Sequence, residues 1–159
     1  MAQVIPTNGG MGSADAYLAR NGWPSGLRKR FIEQLVRIPI RFIIVDDSGS
    51  MGAADGHRLV GDAASKSLVS CTRWAELGDS IRFLAGLAET AQAPTEFRLL
   101  NKGYPILVGR GEDDGQNVKQ VVALLNESPD GMTPLCRHIN QVVATIRGIV
   151  NNKPPLAFH

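Results

Sequence analysis

Asp46, Ser48 and Ser50 stand at a spacing of two residues in the segment Asp46-Asp47-Ser48-Gly49-Ser50-Met51. A tight turn through Gly49 aims one carboxylate and two hydroxyls at a single point, and hard oxygen donors gathered this way suit a small divalent cation. Immediately before them runs Phe42-Ile43-Ile44-Val45, an uncharged apolar stretch. Such a stretch predicts a strand buried on both faces, as at the centre of a parallel sheet, whose carboxyl end is where open α/β sheets place their sites.

The elements that must hold this loop can be read outward from it. Residues 1–24 carry Pro6, Gly9, Gly10, Gly12, Gly22 and Pro24 with little periodicity and predict a flexible lead segment. Over 25–38, Leu27, Phe31 and Leu35 recur at helical spacing after Ser25, a good N-cap, and predict an amphipathic helix that ends before Pro39. Its Arg28-Lys29-Arg30 triplet reads as a solvated face. Residues 52–71, rich in glycine and alanine pairs, predict an irregular insertion.

From Thr72 the series Trp74, Leu77, Ile81, Leu84 and Leu87 predicts a helix of about five turns, with Trp74 in the core. Residues 96–100 and 104–108 predict two strands joined by a hairpin turn at Asn101-Lys102-Gly103, the second kept to a sheet edge by Pro105. The acidic run Glu112-Asp113-Asp114 lacks the ligand spacing of a calcium loop and reads as solvated. Val118, Val121, Val122 and Leu125 predict a further helix, followed by a turn at 128–131. Next, Met132-Thr133-Pro134-Leu135 opens a helix whose buried face is expected to be Leu135, Ile139, Val142, Ile146 and Ile149. On its own, Thr133 reads as an N-cap. Leu156-Ala157-Phe158 predicts the start of another buried strand.

This order of elements, with Asp-x-Ser-x-Ser-Met in one loop and Gly-x-Thr-Pro-Leu in another, resembles the von Willebrand factor type A domain. The matching residues are Asp46, Ser48, Gly49, Ser50 and Met51, then Gly131, Thr133, Pro134 and Leu135, and the likeness covers residues 40–159. It implies a doubly wound, Rossmann-like α/β fold: a mostly parallel sheet of order 3-2-1-4-5-6 with one antiparallel edge strand and helices on both faces. It also implies a metal-ion-dependent adhesion site. Ser48, Ser50 and Thr133 would ligate Mg2+, or Ca2+ or Mn2+, directly, with Asp46 direct or through water. Neutral hydroxyls leave the ion much of its charge and an open position, which an Asp or Glu carboxylate of a protein partner would fill.

The family's third loop, with an aspartate after the next strand, is not reached within these 159 residues. The chain therefore resembles the N-terminal two-thirds of such a domain, as in a fragment, and Asp47 is a candidate auxiliary for the missing acid. Two other readings share the first loop. In a haloacid-dehalogenase-like phosphohydrolase Asp46 would be the nucleophile and Thr133 would hold phosphate, but Lys153 is the sole lysine after Thr133 and no acid follows Asp130. In a metal-free interaction domain the same side chains only satisfy backbone donors at a turn. His57, His138 and His159 have no nucleophile-elbow context, which argues against a Ser-His-Asp triad.

Composition excludes broader classes. With 43% apolar residues, 20% charged residues and a net charge of +2, the chain reads as one globular domain with no signature of nucleic-acid binding. No apolar stretch approaches the ~20 residues of a membrane span, and there is no leader pattern, so a cytoplasmic or nuclear location is expected. Cys71 and Cys136 match no zinc spacing and are expected as free thiols. A protein-binding module, not an enzyme, is the expected activity.

Overall fold

Strand β4 (Thr95–Leu99) points Phe97 and Leu99 to one side and Glu96 and Arg98 to the other, and this alternation organises the molecule. The computed structural model describes residues 8–61, 65–111 and 114–152. Within it β4 is the middle of a small mixed sheet. Strand β1 (Arg41–Val45) pairs with β4 in parallel, Ile43 opposite Phe97 and Val45 opposite Leu99. Strand β5 (Ile106–Val108) pairs antiparallel on the other edge, Ile106 opposite Phe97 and Val108 opposite Thr95. Pro105 stands just outside the ladder, and among the described residues β5 is an edge strand.

The side bearing Phe97 is the main core. Val45, Phe97, Leu99, Ile106 and Val108 meet Trp74, Ile81, Ala85 and Ala88 of helix α3 (Arg73–Thr90) and Val121 and Leu125 of helix α4 (Gln116–Leu125). Thr72 starts α3 as predicted, its hydroxyl accepting from the Ala75 amide at 3.1 Å. Burying a side chain as large as Phe97, which is wholly enclosed, stabilises the fold by about 2–3 kcal/mol.

The far side of α3 is also covered. Helix α1 (Asn8–Arg20) and helix α2 (Ser25–Arg37) pack there, with Ala14, Leu18 and Leu35 against Leu87, Ala91 and Ala93. Trp23 stacks on Phe83 with ring centroids 5.9 Å apart, and Tyr17 donates its hydroxyl to the Phe83 carbonyl at 3.1 Å. The expectation of a flexible lead over 1–24 is therefore corrected for 8–20. Glycine-rich sequence hid a stripe of Gly10, Ala14 and Leu18, whose smallness lets α1 lie close to α3: a Cβ on Gly10 would come within 2.9 Å of the Ala91 carbonyl oxygen. Helix α2 occupies its predicted span, although Pro24 rather than Ser25 sits at its N-cap, with no side-chain cap.

Three further expectations change. Within 52–71 the chain forms an antiparallel hairpin, β2 (Gly56–Val60) and β3 (Ser67–Cys71), not an irregular insertion. Its cross-strand Leu59–Leu68 pair supplied a strand signal that the surrounding glycines and alanines masked. Strand β1 is not buried on both faces: only Val45 is, and within the described residues its edge away from β4 has no strand partner. Finally, helix α5 (Leu135–Asn151) has no buried residue. Leu135, Ile139, Val143, Ile146 and Ile149 form its apolar stripe but stay 38–45% exposed, and Val142 is half-buried. Periodicity correctly finds an amphipathic helix, yet cannot say whether a partner covers the stripe.

Helix α5 reaches the sheet on the side opposite α3, where Arg98 donates from Nη1 to Oε1 of Gln141 at 3.1 Å and from Nε to Glu96. The strand expected at 156–158 and most of the acidic run at 112–114 lie outside the described residues. Cys71 and Cys136 are free. Among the described residues no helix is long and apolar enough to cross a membrane.

Candidate metal centre

The loop after β1 turns at once into a short 3-10 turn, Gly49–Gly52, pinned to the main core by Met51. Aspartate at 46 and small residues after it favour this geometry. The Asp46 carboxylate accepts the Ser48 amide at 2.9 Å, the local bond by which aspartate initiates turns. Ser48 is buried while Ser50 is exposed, and their hydroxyl oxygens lie 3.1 Å apart. Asp46 itself is half-buried.

The second loop, 128–134, meets the first through main-chain bonds. The Asp130 amide donates to the Asp47 carbonyl at 2.8 Å, and the Gly49 amide donates to the Gly131 carbonyl at 3.1 Å. Thus the two turns, distant in sequence, are laced together. Gly131 adopts a φ of 91°, a left-handed conformation that side chains disfavour. Thr133 lies exposed two residues on. It does not cap α5; Pro134 holds that position, and no side chain caps the helix. The structure thus unites the backbones of both loops, with no hydrogen bond between Thr133 and either serine.

Asp47 turns inward. It is wholly enclosed, its Oδ1 accepting from both the backbone and side-chain nitrogens of Asn101, at 2.9 and 3.0 Å. Its Oδ2 is buried without a hydrogen-bond partner. The segment after β4 is in fact the hub of the site. The Leu100 amide donates to the Val45 carbonyl, the Leu100 carbonyl accepts from Nε2 of His138, and Nδ2 of Asn101 reaches the Met132 carbonyl at 2.8 Å. Lys102 Nζ donates to the Ser128 carbonyl and pairs with Glu127 at 3.4 Å.

Sequence reasoning missed Asn101, Lys102 and His138. Asn-Lys-Gly was read as hairpin turn chemistry, but the β4–β5 connection is wider than a tight turn and spends its asparagine on Asp47 instead. The available signal was a polar residue at the carboxyl end of a central strand, where sheets of this kind place ligands.

Among the described residues no three His, Cys, Asp or Glu side chains gather into a metal cage. Comparison with protein-family models, curated proteins and solved structures finds no match to this chain.

Proposed function

We propose that the chain is a divalent-cation-dependent protein-binding module, not a catalyst, with the doubly wound layout of the von Willebrand factor type A family. Ser48, Ser50 and Thr133 hold Mg2+, or Ca2+ or Mn2+, with Asp46 direct or through water. The observation that carries this reading is the lacing of the two turns, Gly49 to Gly131 and Asp130 to Asp47. Residues remote in sequence are thereby brought side by side at the carboxyl end of β1.

The donor set also fits. Octahedral magnesium at 2.0–2.1 Å places neighbouring ligands roughly 2.9 Å apart, and the two serine hydroxyls are 3.1 Å apart. Thr133, relieved of capping, keeps its hydroxyl free for a ligand. The order β1-β4-β5, with β5 antiparallel at the edge, corresponds to the 1-2-3 half of the family sheet. When bound, the cation supplies an open coordination position for an Asp or Glu of a protein partner. Asp47, buried and held by Asn101, braces the loop from beneath instead of entering the shell. Free thiols at Cys71 and Cys136 are compatible with a cytoplasmic or nuclear setting.

Calorimetric titration of the whole chain with magnesium tests the assignment. Ser48→Ala and Thr133→Ala are each expected to weaken binding at least tenfold with little change in melting temperature, because each removes one donor from a loop. Equal affinity in parent and variants would overturn it.

A further inference from the structure

One side chain, that of Asn101, touches both turns. We propose that Asn101 is the positioning residue of the candidate site, its carboxamide setting the separation between the serine loop and the Thr133 loop. This inference rests on the cation-binding reading above, and it adds to that reading a residue that ligates nothing.

The geometry is specific to an amide. One nitrogen, Nδ2, carries two hydrogens, and both are used: one toward Asp47 Oδ1 in the first loop at 3.0 Å, the other toward the Met132 carbonyl in the second at 2.8 Å. Aspartate has no such donor, and leucine, of nearly the same shape, has none at all. Each acceptor is directly next to a candidate ligand, since Asp47 precedes Ser48 and Met132 precedes Thr133. The amide therefore spans the pair of loops one residue away from the ligands on either side.

Two further features hold the amide in place. A Cβ on Gly131 would lie 2.7 Å from Cγ and Oδ1 of Asn101, so the side chain rests flush against a bare Cα. The peptide joining Leu100 to Asn101 is bonded at both ends: its carbonyl accepts from His138 Nε2 at 3.0 Å and its amide donates to Asp47 at 2.9 Å. The first turns of α5 and the loop after β1 are thus linked through one rigid peptide. Asp47 is enclosed while Asn101 is exposed, so the bonds between them lie at the margin of the interior, where the buried carboxylate gains its hydrogen-bond donors.

A site braced before its ion arrives avoids the ordering cost on binding, and removing such a brace typically weakens metal affinity by about 10–100-fold. The test compares the full chain with Asn101→Leu in two measurements: magnesium titration, and amide hydrogen exchange in metal-free buffer. Magnesium affinity is expected to fall about 10–100-fold. The Gly49 and Asp130 amides, which bridge the loops, are expected to exchange faster while Phe97 in β4 keeps its protection. A merely structural role would instead speed exchange across β4 and leave the affinity of the folded protein unchanged. Asn101→Ser, which keeps the backbone bond to Asp47 but cannot reach Met132, serves if the leucine variant does not fold, and is expected to be intermediate in both measurements. Parental affinity together with parental protection of Gly49 and Asp130 overturns the proposal. Should the parent chain take up no magnesium, the cation-binding reading fails by itself, and the exchange of Gly49 and Asp130 decides the role of Asn101.

Discussion

Toward α3 and α4 the sheet presents Val45, Phe97 and Val108, all but sealed from water, whereas toward α5 it presents the Glu96–Arg98 pair, and no residue of α5 is buried. The two sides are held by different forces. On the first, apolar contacts are dense and continue through α3 to the cluster formed with α1 and α2. On the second, α5 is attached chiefly at its beginning, through the laced turns, His138 and Gln141. The contrast is between a side held by apolar packing and a side held by polar attachment. The core fixes where β1 and β4 end, and a polar clasp at those ends fixes where the second loop lies.

Five variants would break or sharpen this contrast. The largest effect is expected from Phe97→Ala, which opens a cavity beneath the middle strand and should cost about 3–5 kcal/mol in urea unfolding. A loss under ~1 kcal/mol would mean that this side is not the stability core. Next comes Arg98→Ala, expected to cost about 3 kcal/mol because it strands the Glu96 carboxylate, whose side chain is only 15% exposed. Replacing Glu96 and Arg98 together by leucine should be nearly neutral, so an equally large loss in the double variant would show that the pair is more than self-compensating.

On the weaker side, Ile146→Gln is expected to change stability by no more than about 0.5 kcal/mol, since Ile146 is 43% exposed. A cost of several kcal/mol would reveal that the α5 stripe is covered in solution. The smallest effect concerns the hairpin. Arg73 grips Asp55 with two bonds, at 2.6 and 2.5 Å, and this holds the Asp55 carboxyl below its ordinary value. Because the folded-state value is lowered, the contribution of the pair is present above about pH 4 and fades as the pH falls through the lowered value. Titration of Asp55 by NMR should move back to the ordinary carboxylate range in Arg73→Ala; no movement would remove Arg73 as the cause.

Much of this arrangement was legible in the sequence where one physical rule acted alone. Trp74, Ile81 and Leu84 mark α3 because a long helix repeats its buried face, and Pro105 marks an edge because it lacks a donor. Asp46, Ser48 and Ser50 stand out because oxygen donors rarely crowd the end of an apolar strand. Other features depended on what lay across a gap. Gly10 and Ala14 show no hydrophobic periodicity of note, and matter only because α3 comes close to them. Asn101 obeys turn preferences equally well whether it closes a hairpin or spans two loops, and only the position of Asp47 separates the two. For α5, the pattern specifies an apolar stripe but carries no information about its cover.

The indole of Trp74 donates from Nε1 to the Glu127 carbonyl at 2.9 Å, so the start of α3 is fastened to the stretch that leads into the second loop. The chain has one other tryptophan, Trp23, which lies in the separate aromatic cluster beside Phe83. Nature has therefore installed two optical reporters in two different compartments. With Trp23 exchanged for phenylalanine, the remaining fluorophore is the indole bonded to Glu127, and its emission becomes a label-free report on the surroundings of that junction alone.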